Sequence, residues 1–151
     1  MKIANSIEIH ATRQVVFSWL EAPDRAKHWM TSVSKTEMIS ETPERIGTTF
    51  RETVEENGRG TELHGVITDF VPNRRLSFHL EGKYNTVDVT YALQESGQDT
   101  LLSQTADVHF KGWLRIMGIL LAPAFKKKVL DQAKTEFAAL KTLCERGDRH
   151  S

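Results

Sequence analysis

Three polar side chains interrupt rows of apolar residues in the strand-rich middle of the sequence. Glu52 stands between Phe50 and Val54, and residues two apart share one face of a strand. By the same spacing, Gln104 and Tyr91 fall on faces that are otherwise apolar. A carboxylate, an amide and a phenol directed at an apolar interior could fix the polar end of a ligand or exchange a proton with it. The structural alternative is that Glu52 sits near a strand end with its carboxylate in water, while Gln104 and Tyr91 bond one another or the backbone.

Other common site chemistries lack their residues. His79 has outward parity, and His64 lies on a strand whose two faces are too alike to assign, so neither predicts a catalyst. The six histidines are scattered and the single Cys144 lies apart from them until His150, so we predict no metal site and no cofactor. The segment Gly58-Arg59-Gly60 opens no helix, as a phosphate loop would, and no serine lies in a nucleophile elbow.

A period of two over most of the chain predicts the strands that would hold these groups. Ile3, Ile7 and Ile9 mark the first strand. Six more are predicted at positions 34–41, 48–56, 61–71, 75–81, 86–94 and 101–110. Hairpin-like sequences join several of them, namely Glu56-Asn57-Gly58, Pro72-Asn73 and Ser96-Gly97-Gln98-Asp99. Short connections of this kind imply antiparallel neighbours, and therefore an α+β fold.

Two short helices should follow the first strand, and a long helix should end the chain. Thr12 is suited to cap the first helix, and the second, over 24–30, carries Trp29. The long helix is predicted over 112–145. Apolar residues recur at helical spacing in its second half, at Val129, Ala133, Phe137, Leu140 and Cys144.

The first half of that helix, residues 113–125, is almost wholly apolar and is interrupted by Gly118 and Pro123. Because apolar stretches are usually buried, we predict a lid over the pocket. The alternatives are a homodimer interface or a contact with lipid. Lys126-Lys127-Lys128 could serve lipid headgroups, but three lysines are fewer than the four to eight typical of an anionic-lipid site.

Composition narrows the class of protein. A chain of 151 residues suits one domain over positions 1–151. Lys plus Arg number 20, as do Asp plus Glu, so no net charge steers the protein to nucleic acid, and no such partner is predicted. One cysteine cannot form an internal disulfide, and no apolar leader precedes the first strand, so we expect a cytoplasmic location. The most apolar stretch is shorter than the roughly 20 residues that span a bilayer, and no integral membrane segment is predicted.

The order of these features resembles the START-like (SRPBCC) superfamily, and within it the polyketide cyclase/dehydrase and lipid-transport group. The residues that carry the resemblance are Val15-Val16-Phe17-Ser18-Trp19-Leu20, Trp29, Gly47-Thr48-Thr49-Phe50, Val71-Pro72-Asn73-Arg74-Arg75-Leu76 and Ala139-Leu140-Lys141. The resemblance implies a helix-grip fold, in which a seven-stranded antiparallel sheet wraps around the C-terminal helix and leaves a cavity between them. Members of the group include binding and transport proteins, aromatase/cyclases and activators of a chaperone ATPase.

We therefore predict a helix-grip domain that binds a small hydrophobic or amphipathic molecule, lipid- or polyketide-like, between the sheet and the C-terminal helix. A polyketide cyclase/aromatase-type enzyme is the first alternative, and a protein-interaction module resembling the chaperone activators is the second. The predicted contact residues are Phe50, Glu52, Phe78, Val89, Tyr91, Gln104, Val108, Trp113 and Met117.

Overall fold

The computed structural model describes residues 1–56 and 58–148. Within them the chain forms seven strands: β1 (Lys2–Ile9), β2 (Val33–Ser40), β3 (Thr49–Glu56), β4 (Arg59–Val71), β5 (Arg75–Glu81), β6 (Asn85–Ser96) and β7 (Asp99–Phe110). Helix α1 (Arg13–Glu21) and a 3-10 helix (Pro23–His28) lie between β1 and β2, and the long helix α2 (Leu114–Asp148) follows β7. The predicted α+β class and element order are confirmed, with ends shifted by a few residues.

All seven strands form one antiparallel sheet in the order β1-β7-β6-β5-β4-β3-β2. Strands β2 to β7 follow one another as neighbours, as the short predicted turns require. Asn73 and Gly97 take the left-handed backbone conformation in two of these turns, with φ of 63° and 65°. Only β1 pairs out of sequence order, so the two short helices must carry the chain from one edge of the sheet to the other.

The second half of α2 packs on the inner face of the sheet. Ala133, Phe137, Leu140 and Cys144 are buried, as their spacing predicts. The ring centroids of Phe137 and Tyr91 on β6 lie 6.3 Å apart. This apolar contact between helix and sheet is the centre of the core.

The two short helices close one end of the sheet. The Thr12 hydroxyl accepts a hydrogen bond of 3.3 Å from the backbone nitrogen of Val15, which confirms the predicted cap of α1. Trp29, just after the 3-10 helix, is buried, and its ring centroid lies 6.3 Å from that of Tyr91. The indole therefore fixes this end of the molecule to the same aromatic core.

The prediction of a buried lid over residues 113–125 is wrong. The residues left more than half exposed there are Trp113, Ile116, Ile119, Leu120 and Leu121. The helix runs without a break through Pro123, so the apolar stretch cannot fold back as a separate lid. None of the helices in the described part of the chain holds a stretch long and apolar enough to traverse a bilayer.

We expect Gly65→Ala to destabilise the fold, because Gly65 on β4 pairs with Phe50 on β3 and a methyl group there would overlap the Phe50 ring. Overpacking of this kind lowers the free energy of unfolding by about 1–3 kcal/mol, measurable by urea denaturation. Gly60→Ala on the same strand is the matched control, since its added methyl would lie 3.8 Å from Thr53. Equal losses in the two variants would contradict the account.

Candidate functional site

A cavity lies between the inner face of the sheet and the segment from the end of α1 to Met30. The volume of this cavity is about 60 Å³. Its lining is mostly apolar: Leu20, Ala22, Pro23, Ala26, Trp29, Met30, Met38, Phe50, Ile67, Phe70, Leu76 and Phe78. Glu21, Thr36, Arg45, Glu52 and Tyr91 complete it. This combination of an apolar wall and a few polar groups is typical of a small-molecule site.

An aromatic cluster forms the floor of the cavity. Phe50 and Phe78 meet edge to face with centroids 5.9 Å apart, and Phe78 lies 5.9 Å from Tyr91. Phe137 of α2 packs behind Tyr91 and so fills the space beneath the helix. No residue of α2 is among the lining residues in the described part of the chain. The sequence predicts a cavity between the sheet and the C-terminal helix; this cavity lies instead between the sheet and the short helices, while a separate depression lined by Ala106, Lys126 and Leu130 lies between the sheet and α2.

Glu52 is the most unusual group in the cavity. It is 8% exposed, so the alternative of a carboxylate in water is wrong. Burial raises the pKa of its carboxyl to about 7, and repulsion from Glu136 contributes. Among the described residues we find no hydrogen-bond donor to this carboxyl. At neutral pH it is therefore divided between a form that can donate a hydrogen bond and one that only accepts.

Glu136 of α2 is also partly buried, but it is anchored by the protein. It accepts hydrogen bonds from the backbone nitrogen of Thr31 at 2.7 Å and from the Thr31 hydroxyl at 3.3 Å. Burial raises its pKa, and these bonds act in the opposite direction. Glu136 thus connects the segment after Trp29 to α2, whereas Glu52 forms no such hydrogen bond with the described residues.

Tyr91 and Gln104 form a hydrogen bond with one another, as predicted by the structural alternative given above for this pair. Gln104 on β7 lies directly opposite Tyr91 on β6, and its amide nitrogen donates to the Tyr91 hydroxyl at 3.4 Å. Tyr91 is 2% exposed, and burial raises its pKa, so the phenol stays neutral. As the acceptor in this bond, the hydroxyl keeps its hydrogen for a donor role toward the cavity.

Sequence reasoning missed three polar groups that line the cavity. The indole nitrogen of Trp29, the hydroxyl of Thr36 and Nε of Arg45 are buried with no partner in the described part of the chain. Thr36 on β2 pairs directly with Glu52 on β3, so a correct strand register would have found it. Nothing in the sequence marks Arg45, whose backbone takes the left-handed conformation with φ of 70°.

The remaining predicted contact residues lie away from this cavity. Val89 and Val108 are buried on the sheet, Gln104 contacts Tyr91, and none of the three is a lining residue. Trp113 and Met117 are 71% and 39% exposed, so their prediction as pocket walls is corrected along with the lid. That prediction assumes that the whole of α2 packs over the inner face of the sheet, whereas its first half contacts Phe110 at the end of β7.

The histidines on the sheet lie outside the cavity. His64 is exposed, and Nδ1 of His79 lies 2.7 Å from a carboxylate oxygen of Asp88. One group of possible metal ligands, Glu8, His10 and Asp99, is found among the described residues. Two of its three members are exposed, and His10 is hydrogen-bonded to Asp99, so it does not alter the prediction of no metal site.

Comparison with known proteins supports this architecture. A model of the family described as polyketide cyclase/dehydrase and lipid transport matches residues 1–145. A protein of known structure from Thermus thermophilus superposes with a TM-score of 0.81 at 16% identity, covering 97% of this chain and 99% of that one. No curated protein matches the sequence.

Two further solved structures have informative names. A START superfamily protein from Mycobacterium smegmatis gives a TM-score of 0.80 at 16% identity and covers 96% of this chain and 97% of its own. An aromatase/cyclase from a Streptomyces species gives 0.78 at 14% identity, with coverage of 97% and 94%. At such identities the structures share the fold, and the helix-grip prediction is confirmed.

Because Glu52 is buried and no described residue donates to it, we expect its ionisation to destabilise the folded state. Its folded pKa of about 7 lies above the ordinary 4.5, so stability is lost as pH rises through that interval, by on the order of 3 kcal/mol. Glu52→Gln removes this loss: urea denaturation should find the variant more stable than the wild type at about pH 8 and similar to it at about pH 4.

Glu55→Gln is the matched control, because Glu55 lies on the same strand and is exposed. We expect it to leave the pH dependence of stability unchanged. If Glu52→Gln also leaves that dependence unchanged, the carboxyl is not desolvated in the way described.

Proposed function

This chain belongs to the polyketide cyclase/dehydrase and lipid transport family, and we propose that it binds a small hydrophobic or amphipathic molecule in the cavity beneath its short helices. Family membership and the START-like fold support a ligand-binding or cyclase role. The observation that carries the proposal is the buried Glu52 carboxyl, which faces an apolar cavity without a donor among the described residues. A buried polar group without a hydrogen bond is costly, and a bound ligand would relieve that cost.

The polar groups of the cavity indicate the chemistry of the ligand's polar end. The Trp29 indole and Arg45 are donors, and the Thr36 hydroxyl can donate as well. Protonated Glu52 adds another donor. A ligand with oxygen acceptors, such as a carbonyl, carboxyl or hydroxyl group, would satisfy several of them at once, while its apolar body would contact Phe50 and Phe78.

The size of the cavity limits what can enter. A volume of 60 Å³ holds roughly four to six water molecules, well below the roughly 300–1,000 Å³ of pockets that enclose drug-sized ligands. The ligand is therefore small, or only one end of it enters. Met30 and Met38 line the cavity, and their unbranched side chains can change rotamer to enlarge it.

A cyclase/aromatase-type enzyme is the second candidate, and the pKa of Glu52 favours it. A carboxyl with a pKa of about 7 can accept and donate protons at neutral pH, as a general acid or base must. A folded polyketide chain, like a long fatty acid, exceeds the cavity volume, so only one end of either would enter. Binding also uses the unpartnered donors of Trp29, Thr36 and Arg45, whereas the cyclase candidate rests on Glu52 alone, so binding accounts for more of the geometry.

Two other expectations extend the proposal. A protein-interaction role, like that of the chaperone activators, would use the exposed apolar residues at the start of α2 instead of the cavity. We also retain a cytoplasmic location as part of the proposal, because a single cysteine gives no sign of a disulfide framework.

We expect Phe78→Trp to fill the cavity and to weaken binding of a fluorescent fatty acid, cis-parinaric acid, at least about tenfold. The reason is the loss of space beside Phe50 and Tyr91. The measurement is a fluorescence titration, with circular dichroism to verify folding. Ile39→Trp adds bulk at an exposed position on β2 and should leave affinity unchanged. A folded Phe78→Trp variant of unaltered affinity would rule out this cavity as the binding site.

Glu52→Gln should distinguish ligands by their polar ends. At about pH 6, where most of Glu52 is protonated, affinity for cis-parinaric acid should fall severalfold, because an amide is a weaker hydrogen-bond donor than a carboxylic acid. Affinity for naphthalene, which has no polar group, should stay the same. Competitive displacement measures both, with Glu55→Gln as the control. Equal effects on the two ligands would show that Glu52 is structural.

A further inference from the structure

The start of α2 carries an apolar surface that the fold leaves uncovered. This surface, here called the α2 apolar face, consists of Trp113, Ile116, Met117, Ile119, Leu120 and Leu121, all exposed. Six large apolar side chains within nine positions form a continuous patch, and patches of this kind mark interaction sites. We propose that the α2 apolar face docks on the surface of an anionic lipid membrane.

The face is held in place by the opposite side of the same helix turns. A methyl group on Gly118 would come within 2.8 Å of the Phe110 ring at the end of β7, so the helix approaches that ring closely. Phe125, two turns later, meets Phe110 edge to face with centroids 5.2 Å apart. These contacts fix the inner side of the helix on the sheet and direct the apolar side chains outward.

Positive charge flanks the face. α2 contains no acidic residue before Asp131, while Arg115, Lys126, Lys127 and Lys128 all precede it. Lys83, in the turn between β5 and β6, adds a fifth cation. In the part of the chain described, none of these five groups forms an ion pair, whereas the nearby Lys111 pairs with Glu81 at 3.7 Å.

Five cations, or four without Lys126, which lines a depression together with Asp88 and Asp107, fall within the four to eight that typify clusters bound to anionic lipid. The chain as a whole has no net charge, whereas every charged residue of α2 before Asp131 is basic. The sequence pattern alone shows only the three consecutive lysines. The structure adds Arg115 from the same helix and Lys83 from the neighbouring turn.

Aromatic residues occupy the positions that a membrane interface favours. Trp113 begins the face, and Tyr84 is exposed in the turn that bears Lys83. The backbone nitrogen of Lys111 donates to the carbonyl oxygen of Tyr84 at 2.8 Å, so the turn lies beside the start of α2. Tryptophan and tyrosine rings are enriched where hydrocarbon meets headgroups.

The charges favour a membrane over a second copy of the chain. In a symmetric dimer the same surface meets itself, so two sets of the five cations would approach one another with no acidic partner on α2 before Asp131. Anionic headgroups supply the opposite charge. Because no described helix could traverse a bilayer, the helix would lie in the interface with its apolar side in the lipid.

Co-sedimentation with vesicles tests the proposal. The intact chain should bind vesicles of phosphatidylcholine containing about 30% phosphatidylglycerol at least tenfold more tightly than vesicles of phosphatidylcholine alone. Raising the salt from about 0.05 M to about 0.5 M should weaken binding to the anionic vesicles, since exposed charges are screened.

Two variants separate the apolar and electrostatic contributions. Ile116→Ser with Leu120→Ser should lower the partition coefficient about tenfold or more without unfolding the protein, because both side chains are already exposed. Lys126→Gln with Lys127→Gln and Lys128→Gln should lower it roughly tenfold to a hundredfold on anionic vesicles only. The matched control is Ile39→Ser with Ile46→Ser, two exposed isoleucines outside the face, which should change nothing.

Trp113 gives a direct readout, since it is the most exposed tryptophan. Its emission should shift to the blue when anionic vesicles are added, and Trp113→Ser should abolish that shift. Failure to bind anionic vesicles, or binding that the Ile116→Ser/Leu120→Ser variant retains, would overturn the proposal. So would a dimer in analytical ultracentrifugation that this double variant converts to a monomer, because the face would then cover itself.

Discussion

The structure depends on one chain of aromatic contacts. Trp29 and Phe78 both pack against Tyr91, and Phe137 of α2 packs behind it. These contacts connect the segment after the short helices, the middle of the sheet and the C-terminal helix through a single ring. Because aromatic side chains bury large areas and prefer edge-to-face or offset geometry, the cluster sets both the separation and the orientation of the three parts. The cavity is the space that this framework leaves on one side of Phe50 and Phe78.

The same framework explains the state of Glu52. Strand alternation on β3 directs Glu52 to the side that holds Phe50, so a carboxyl is carried into an aromatic environment. No described residue donates a hydrogen bond to this carboxyl, and Glu136 is the charge that influences its pKa. The free energy of unfolding therefore depends on pH at this residue. The folded state tolerates the free-energy cost of this buried carboxyl because the aromatic contacts stabilise the rest of the core.

Local pattern predicts most of the fold and the inward direction of several strand residues in the candidate site. Period-two alternation identified every strand and placed Phe50, Glu52, Phe78 and Tyr91 on the inner face, because parity depends only on neighbouring residues. The location of the cavity was not predictable in this way, since it depends on how far Phe137 fills the space under α2. Thr36 required the β2–β3 register, and Arg45 required the conformation of a loop. The prediction of a lid over residues 113–125 is wrong because apolar composition does not show whether a segment is covered by its own chain or left exposed.

The polar groups around the cavity come from both regular and irregular structure. Glu52 and Tyr91 come from paired strands, whereas Arg45 comes from the loop between β2 and β3. That loop is held by Thr48, which is fully buried and whose hydroxyl accepts a hydrogen bond of 3.1 Å from the backbone nitrogen of Thr42. The backbone nitrogen of Thr48 also donates to the carbonyl of Arg45 at 3.0 Å, which stabilises the left-handed conformation there. The left-handed residue is thus positioned by a buried threonine, whereas the Glu52 carboxyl is positioned by its strand.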